Sequence, residues 1–397
     1  MDTKNKAVII GGGIAGLSVA FWLDKAGWES VIIERAQTIR GGGFLIGLTG
    51  LGYESAKHMD LVDPLNKVSY DLNENVMKTS SGSEIVRLKY TDAHGLESIA
   101  LQRGDLAKTL AEAVPESATI RLGRTMANFV DNRDSVNVTL DNGETLKCDL
   151  LIGADGIHSH VRTQLFKDMD TTPLADLGYS FAVYDVEGDP ETELEASCVS
   201  YTRPGHLDCF YRLRDRRIAV LHMWRDEFPK LEVLRNENGK AAYERLHAIA
   251  AGGHPKIREF VNRSEAAGAP ILVDTMTMVK MPTWSQGRVT LLGDAAHCLT
   301  LMSGQGAAMA MASAEILGRE LKNSNNDVVA ALAAHDKCLR PAILRLQDHS
   351  TNLAAAYIPR NAFIYHLRNW MIRLIPYSWL ISWHSEKIKA ENELTKL

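Results

Sequence analysis

Within its first 35 residues the chain contains a unit that leaves little freedom for the fold around it. Ala7-Val8-Ile9-Ile10 is a short apolar run of the kind that forms a buried strand, Gly11-Gly12-Gly13-Ile14-Ala15-Gly16 follows at once, and Leu17, Ala20, Phe21 and Leu23 then recur at helical spacing as far as Gly27. Val31-Ile32-Ile33-Glu34-Arg35 is the next strand. Strand, glycine turn, helix and strand in that order form a βαβ unit carrying G-x-G-x-x-G, with the acid Glu34 eighteen residues past Gly16. Gly11, Gly13 and Gly16 permit a tight turn and the close approach of a pyrophosphate to a helix N-terminus, and Glu34 is placed to accept hydrogen bonds from a ribose. Ile14 and Ala15 between the glycines, and Arg35 beside the acid, are counted with this site. The unit predicts a dinucleotide but does not decide between NAD and FAD.

A second acid-and-glycine turn lies far along the chain. Val289-Thr290-Leu291-Leu292 reads as a buried strand, Gly293-Asp294-Ala295-Ala296-His297 as the turn after it, and Ser303-Gly304-Gln305-Gly306 leads into the helix-forming run Ala307–Ala312. A carboxylate at a strand end can accept hydrogen bonds from a polyhydroxyl chain, and glycines opening a helix let backbone N–H groups approach an electron-rich ring edge. A third such corner, Gly153-Ala154-Asp155-Gly156, follows the strand-like run Asp149–Ile152 and continues to Ser159 and Arg162. By itself it reads equally as an ordinary turn. Arg103 stands where a helix begins and either faces an anion or is a solvated surface residue. Arg40-Gly41-Gly42-Gly43-Phe44 is a flexible loop or backbone held close to a flat ring.

Between roughly Leu177 and Val273 the pattern changes to alternating strands. Cys209–Leu213 and Ile218–Trp224 flank the charged turn Arg214-Asp215-Arg216-Arg217 as a hairpin. Phe210 and Arg212 share one face of the first strand, and His222 and Trp224 share one face of the second. That face is either the wall of a ligand pocket or packing against a neighbouring domain. A plainer hairpin is expected from Val136 to Leu146 across an Asn142-Gly143 turn.

With 397 residues the chain is long enough for two domains or one large domain with an inserted lobe, and 45% hydrophobic with 23% charged residues is ordinary for a globular protein. A net charge of −5 without a basic block gives no reason to expect nucleic acid as a partner. Five scattered cysteines without a CxxC pair favour a reduced, cytoplasmic protein with neither a disulfide scaffold nor a metal site. No apolar leader of the usual length precedes Ala7, and no run approaches the ~20 apolar residues of a membrane span. The segment Phe363–Trp383 holds three of the seven tryptophans, and its arginines and Pro376 argue against a spanning helix. It reads as an amphipathic cover over the core in preference to a membrane-surface helix, so membrane contact is not expected.

The order of the glycine fingerprint with Glu34, Arg103, Gly153-x-Asp155-Gly156-x-x-Ser159-x-x-Arg162 and Gly293-Asp294 resembles the single-component FAD-dependent aromatic monooxygenases, the family of p-hydroxybenzoate hydroxylase, over about the first 345 residues. The resemblance implies an α/β architecture. A discontinuous Rossmann-like FAD-binding domain (residues 1–70, 95–172 and 274–340) would carry an inserted β-sheet substrate domain (71–94 and 173–273) and a C-terminal helical cover (341–397). It implies FAD held at its pyrophosphate by Gly11, Gly13, Gly16 and Arg103, at the adenosine ribose by Glu34, and at the ribityl chain by Asp294. The backbone of Gly304, Gln305 and Gly306 would face the flavin pyrimidine edge, Gly43 and Phe44 would lie beside the ring, and Asp155 would bond mainly within the protein.

The implied reaction uses NADPH or NADH, docked without a dinucleotide fold of its own, and dioxygen, and hydroxylates an aromatic or polycyclic substrate through a flavin hydroperoxide with no side-chain nucleophile. His297 is expected to pack. The candidate substrate contacts are Phe210, Arg212, His222, Trp224, Thr300 and Leu301. Thr300-Leu301 stand where the family usually has Pro-Pro, which predicts a differently shaped loop. The aromatic tail resembles the terminal helix of tetracycline-inactivating and polyketide-hydroxylating members, making a tetracycline-type polyketide the first substrate to consider and antibiotic resistance the associated role. A monomer or homodimer is expected. The alternatives are a reductase or desaturase on the same fold, or a flavin-binding protein that sequesters a ligand without turnover. A flavin-dependent halogenase is set aside because Trp-x-Trp-x-Ile-Pro is absent from the interior.

Overall fold

A computed structural model of the chain describes residues 4–39, 43–89, 97–169, 173–225, 240–379 and 382. Arg40–Gly42 of the second glycine cluster and most of the tail past Trp379 therefore lie outside the described residues.

A six-stranded sheet forms the frame. Its order is Ser285–Gln286, Val289–Leu291, Leu150–Gly153, Lys6–Ile10, Glu29–Glu34 and Ala118–Leu122, parallel throughout except for the short edge pair at Ser285–Gln286. The strands are short and apolar because helices cover both faces. Ile14–Lys25 and Gly306–Asn323 lie together in one core with Leu17, Leu23, Met311 and Leu317, while Met126, Val138, Trp284 and Ile343 belong to the core on the other face. The two helices approach so closely that a Cβ on Gly318 would come within 2.7 Å of the Trp22 Cβ. The expected hairpin Val136–Leu140 and Thr145–Cys148 is present and pairs further with Met126–Asp131.

A second, seven-stranded sheet runs in the order Leu272–Val279, Leu174–Glu187, Arg217–Arg225, His206–Arg212, Cys198–Arg203, Glu74–Thr79 and Glu84–Lys89. The predicted hairpin around Arg214 is its centre, with Phe210 opposite Val220 and Asp208 opposite His222. Helices Lys240–Ala251 and Pro255–Ala266 cover one face, where Phe210, Trp224, Leu246 and Phe260 share a core.

Two features of the C-terminal part bear on the expected boundaries. A boundary at residue 340 cuts a single helix, Val328–Tyr357, which contains Pro341. Leu339, Ala342, Ile343 and Leu346 are buried on both sides of that proline, so packing holds the helix together where the missing N–H weakens it. This helix joins the two sheets: Ala331 and Leu332 sit in the core of the first, and Ala354 packs against the second. The aromatic segment follows this helix. Its helix, Ala362–Leu374, lies along the outer edge of the second sheet beside Glu84–Lys89, with most of its apolar side chains exposed.

Candidate active site

Three neighbouring parallel strands end side by side, with Ile10 opposite Gly153 and Gly153 opposite Leu291. Their register carries the three turns singled out in the sequence to one edge of the sheet, where the chain order reverses and ligands bind in open α/β folds. Ala154 N donates to Ile10 O at 2.8 Å, Leu292 N to Gly153 O at 2.9 Å and Gly11 N to Ile33 O at 2.8 Å, so the ladder runs on into the turns.

The turns also lock into one another. Gly11 has φ of +109°, and a Cβ there would lie 2.3 Å from Ala154 O. Gly293, at φ of +59°, would bring a Cβ to 2.8 Å from that of Ala15. Arg162, buried and aimed between two of the turns, donates from Nη1 to Ala295 O at 2.9 Å and from Nη2 to Ile157 O. Burial pushes its guanidinium below its usual range, against the pull of Asp155. Ser159 caps the short helix that carries Arg162, accepting from Arg162 N at 2.9 Å.

The sequence-predicted residues fall around this edge as follows. Gly13 caps the helix Ile14–Lys25 without a side-chain hydrogen bond, and a Cβ there would meet no protein atom within 4 Å. Glu34 accepts from Gly12 N at 2.7 Å and Ala36 N at 2.8 Å, so its carboxylate fastens the glycine turn itself. Arg35 is exposed at the end of the same strand. Asp155 Oδ2 accepts from His160 N at 2.7 Å, while its Oδ1 is buried without a partner. Arg103 opens the helix Arg103–Glu112, its N–H donating to Phe44 O at 3.1 Å, with the Gly43 backbone alongside. Burial raises the pKa of Asp294, and the positive charge of Arg103 opposes that rise.

Gly304 adopts the left-handed conformation at φ of +65°, and the helix Gly306–Asn323 begins at Gln305 without a side-chain cap. Gln305 Nε2 donates to Thr49 Oγ1 at 3.3 Å. His297 is buried against Trp284, with ring centroids 4.9 Å apart, and burial, reinforced by His335, pushes its imidazole down to about 3. A neutral, enclosed ring of that kind packs.

The substrate contacts expected on the second sheet are only partly where they were sought. Phe210 and Trp224 face the covering helices, with the Phe210 and Phe260 ring centroids 4.9 Å apart. His222 is fully buried on that same side, its Nδ1 2.6 Å from Asp208 Oδ1 and its Nε2 2.8 Å from the Tyr184 hydroxyl. Arg212 pairs with Glu191 and donates to Leu194 O. Phe210, His222 and Trp224 stabilise the interior of the second unit, while Arg212 lines a surface groove with Tyr70 and Glu191.

The opposite face of the sheet packs toward the first unit. Phe181, Cys209, Leu221 and Met223 cluster there, with Phe44, Tyr211, Leu301 and Met302 packed against them. Leu301 thus reaches the shared wall, while Thr300 is buried with its Oγ1 unpartnered. The signal that could have found this wall is the alternation that placed Phe210 and His222, read one residue out of step.

A family model described as "FAD binding domain" matches residues 4–327. The chain belongs to this family. A "Flavin-dependent monooxygenase" from an unknown prokaryotic organism is 29% identical over 367 residues, covering 90% of this chain and 91% of that protein. Among solved structures, tetracycline destructase Tet(51) superposes with a TM-score of 0.81 at 24% identity over 99% of both chains. Klebsiella pneumoniae HpxO, complexed with FAD and uric acid, superposes with a TM-score of 0.82 at 20% identity over 97% of this chain and 96% of that one. The protein is an FAD-dependent monooxygenase.

The residues present fit FAD. The open space before Gly13, two uncapped helix N-termini at Gly13 and Gln305, the half-buried carboxylate of Asp294 and the exposed guanidinium of Arg103 match a pyrophosphate, a polyhydroxyl linker and an electron-rich ring edge.

Proposed function

We propose that the protein hydroxylates an aromatic or polycyclic small molecule, tetracycline-type polyketides included, with NADPH or NADH as reductant and dioxygen as oxidant. The supporting observation is the meeting of the Gly11–Gly16, Gly153–Arg162 and Gly293–Gly306 turns at one sheet edge, next to the apolar wall of Phe181, Cys209, Leu221 and Met223. In this reading residues 71–94 and 173–273 form the substrate-binding unit, and the discontinuous remainder up to the long helix holds the cofactor.

Bound FAD would supply electron acceptance from the nicotinamide and activation of dioxygen. The chain's own residues bind and orient. Gly11, Gly13 and Gly16, with Ile14 and Ala15 N–H groups, hold the pyrophosphate, assisted by Arg103, while Glu34 and Arg35 meet the adenosine side. Asp294 accepts hydrogen bonds from the ribityl hydroxyls. The helix start at Gly304-Gln305-Gly306 directs N–H groups and the positive end of its dipole at the pyrimidine edge, stabilising negative charge that develops there. Asp155 acts within the protein by holding the turn that carries Arg162.

Phe44, Leu301 and Met302 close the wall on the cofactor side, and the apolar lining excludes water from the reacting centre. Its aliphatic, aromatic and sulfur-bearing side chains favour a flat apolar substrate, recognised by contact area and stacking.

The test is oxidation of NADPH and NADH by the FAD-loaded protein across a panel of aromatic and polycyclic compounds. The proposal expects consumption stimulated by a panel member and a product heavier by one oxygen. Failure of every member to stimulate consumption, in protein that retains FAD, would refute the substrate class.

A further inference from the structure

The helix Ala362–Leu374 is amphipathic in the reverse of the usual sense. Tyr365 and Asn369, on the side turned to the protein, are buried, and the Tyr365 hydroxyl donates to Thr202 O at 2.9 Å. Arg368 on the same flank donates to Ala356 O at 3.0 Å and Tyr357 O at 2.9 Å. Asn361 caps the helix, accepting from Ile364 N at 2.9 Å, and Lys89 N donates to the Tyr377 hydroxyl at 3.1 Å. The helix is thus anchored by polar contacts.

Its outer side carries Phe363, Leu367, Trp370 and Leu374 at successive positions of one stripe, with exposures of 76%, 43%, 60% and 61%. Ile364 and Met371 flank the stripe, and Trp379, just beyond, is 71% exposed. An ordinary surface helix turns such a stripe inward. Contiguous exposed apolar area of this extent marks an interaction site.

Charge identifies the occupant. From Ser350 to Ser385 the sequence contains no Asp or Glu, yet it carries Arg360, Arg368 and Arg373, in a chain whose net charge is −5. Arg360 and Arg373 are exposed beside the stripe. Arg373 Nη2 donates to the Glu84 backbone O at 3.3 Å, while the Glu84 carboxylate is engaged by Arg87 at 2.9 Å. Tryptophan and tyrosine beside arginine, around an aliphatic stripe, match the headgroup region of an anionic bilayer, where rings settle at the interface and guanidinium groups meet phosphates. A symmetric contact with a second copy would set the same exposed arginines against one another. No described helix is long and apolar enough to cross a membrane, so the helix would lie in the interface plane.

We propose that Ala362–Trp379 is a docking surface for an anionic phospholipid membrane, holding the protein by its second sheet at the membrane surface. The inference is independent of the substrate assignment.

The test is co-sedimentation of the full-length, FAD-loaded protein with phosphatidylglycerol or phosphatidylcholine vesicles, beside the variant Phe363→Glu/Trp370→Glu/Leu374→Glu. These side chains point outward, so FAD content and thermal unfolding should match the parent. The parent should bind phosphatidylglycerol vesicles in low salt at least about tenfold more tightly than phosphatidylcholine, and the variant about tenfold or more weakly than the parent. Absence of binding to phosphatidylglycerol, equal binding to both lipids, or undiminished binding by the variant would overturn the proposal. So would light scattering that shows a lipid-free dimer abolished by the same substitutions.

Discussion

Arg162→Met removes the one side chain that bridges the Asp155 and Asp294 turns, and its effect can be worked from the geometry. Two charge-assisted hydrogen bonds are lost, to Ala295 O at 2.9 Å and to Ile157 O, and both carbonyls stay enclosed. Each such bond contributes about 1.5–3 kcal/mol. Part of that returns, because a buried guanidinium whose pKa is already lowered by burial no longer has to be desolvated. The net destabilisation is about 2–3 kcal/mol, roughly a 3 °C fall in the unfolding temperature for a chain of this size.

The sharper readout is cofactor coupling. With the 294–297 turn no longer tied to the 155–162 turn, Asp294 is less well held. The rise in unfolding temperature produced by excess FAD should shrink, since it scales with the logarithm of ligand concentration over Kd. Arg162→Lys should recover little, because an ammonium cannot fork to two carbonyls as a guanidinium does. Thermal unfolding with and without FAD measures both effects. If Arg162→Met unfolds at the parent temperature and shows the parent's FAD-induced rise, the bridge does not order the site.

Three further outcomes follow from single positions. Gly13→Ala should leave FAD-free stability nearly unchanged, since its Cβ meets no protein atom, while weakening FAD binding measured by fluorescence quenching; equal affinity would move the pyrophosphate elsewhere. Thr300 sits at φ of −71° with its Oγ1 buried and unpartnered, so Thr300→Pro should stabilise by about 0.4–1 kcal/mol in denaturant unfolding, and a loss would mean that the loop needs the threonine N–H. His297 and His335 are held to about 3 and about 4 in the folded chain, chiefly by burial. Both stay neutral when folded but protonate on unfolding below their ordinary values. Stability should therefore be flat above about pH 6.5 and fall as pH drops toward 4, by about 2 kcal/mol per imidazole at pH 5; His297→Phe should flatten that slope in an acid titration of stability.

The sequence made the turns legible and the faces illegible, for one physical reason. Gly11, Gly293 and Gly304 have backbone demands that only glycine meets, and Asp155 and Asp294 follow apolar strands, so local chemistry alone marks where they act. Their meeting at one edge needs only the parallel order of three strands. In contrast, alternation divides Cys209–Leu213 and Ile218–Trp224 into two faces without saying what each face meets. Phe210, His222 and Trp224 drew attention by their chemistry, yet they pack under Lys240–Ala251 and Pro255–Ala266, while the plainer Cys209, Leu221 and Met223 meet Phe44, Leu301 and Met302 of the first unit. The tail repeats the point: its apolar stripe was readable and its outward direction was not, because that direction is fixed by polar anchors at Thr202 and the Ala356 and Tyr357 carbonyls, far off in sequence or on another element.

The order of strands in the first sheet has a consequence for how the chain comes to be folded. Val289–Leu291 completes the edge at which Asp294 stands, and Leu150–Gly153 beside it is separated from it in sequence by nearly all of the second sheet. On a ribosome, the first strands, helix and glycine turn emerge early but must wait for most of the chain before their neighbours arrive. Pairing over such separations is slow, and the unpaired edge of Leu150–Gly153 stays available to wrong partners meanwhile. Folding of the second sheet in the interval would shorten the free loop that residue 289 must close to pair with residue 151, so a weakened second sheet should also slow closure of this edge.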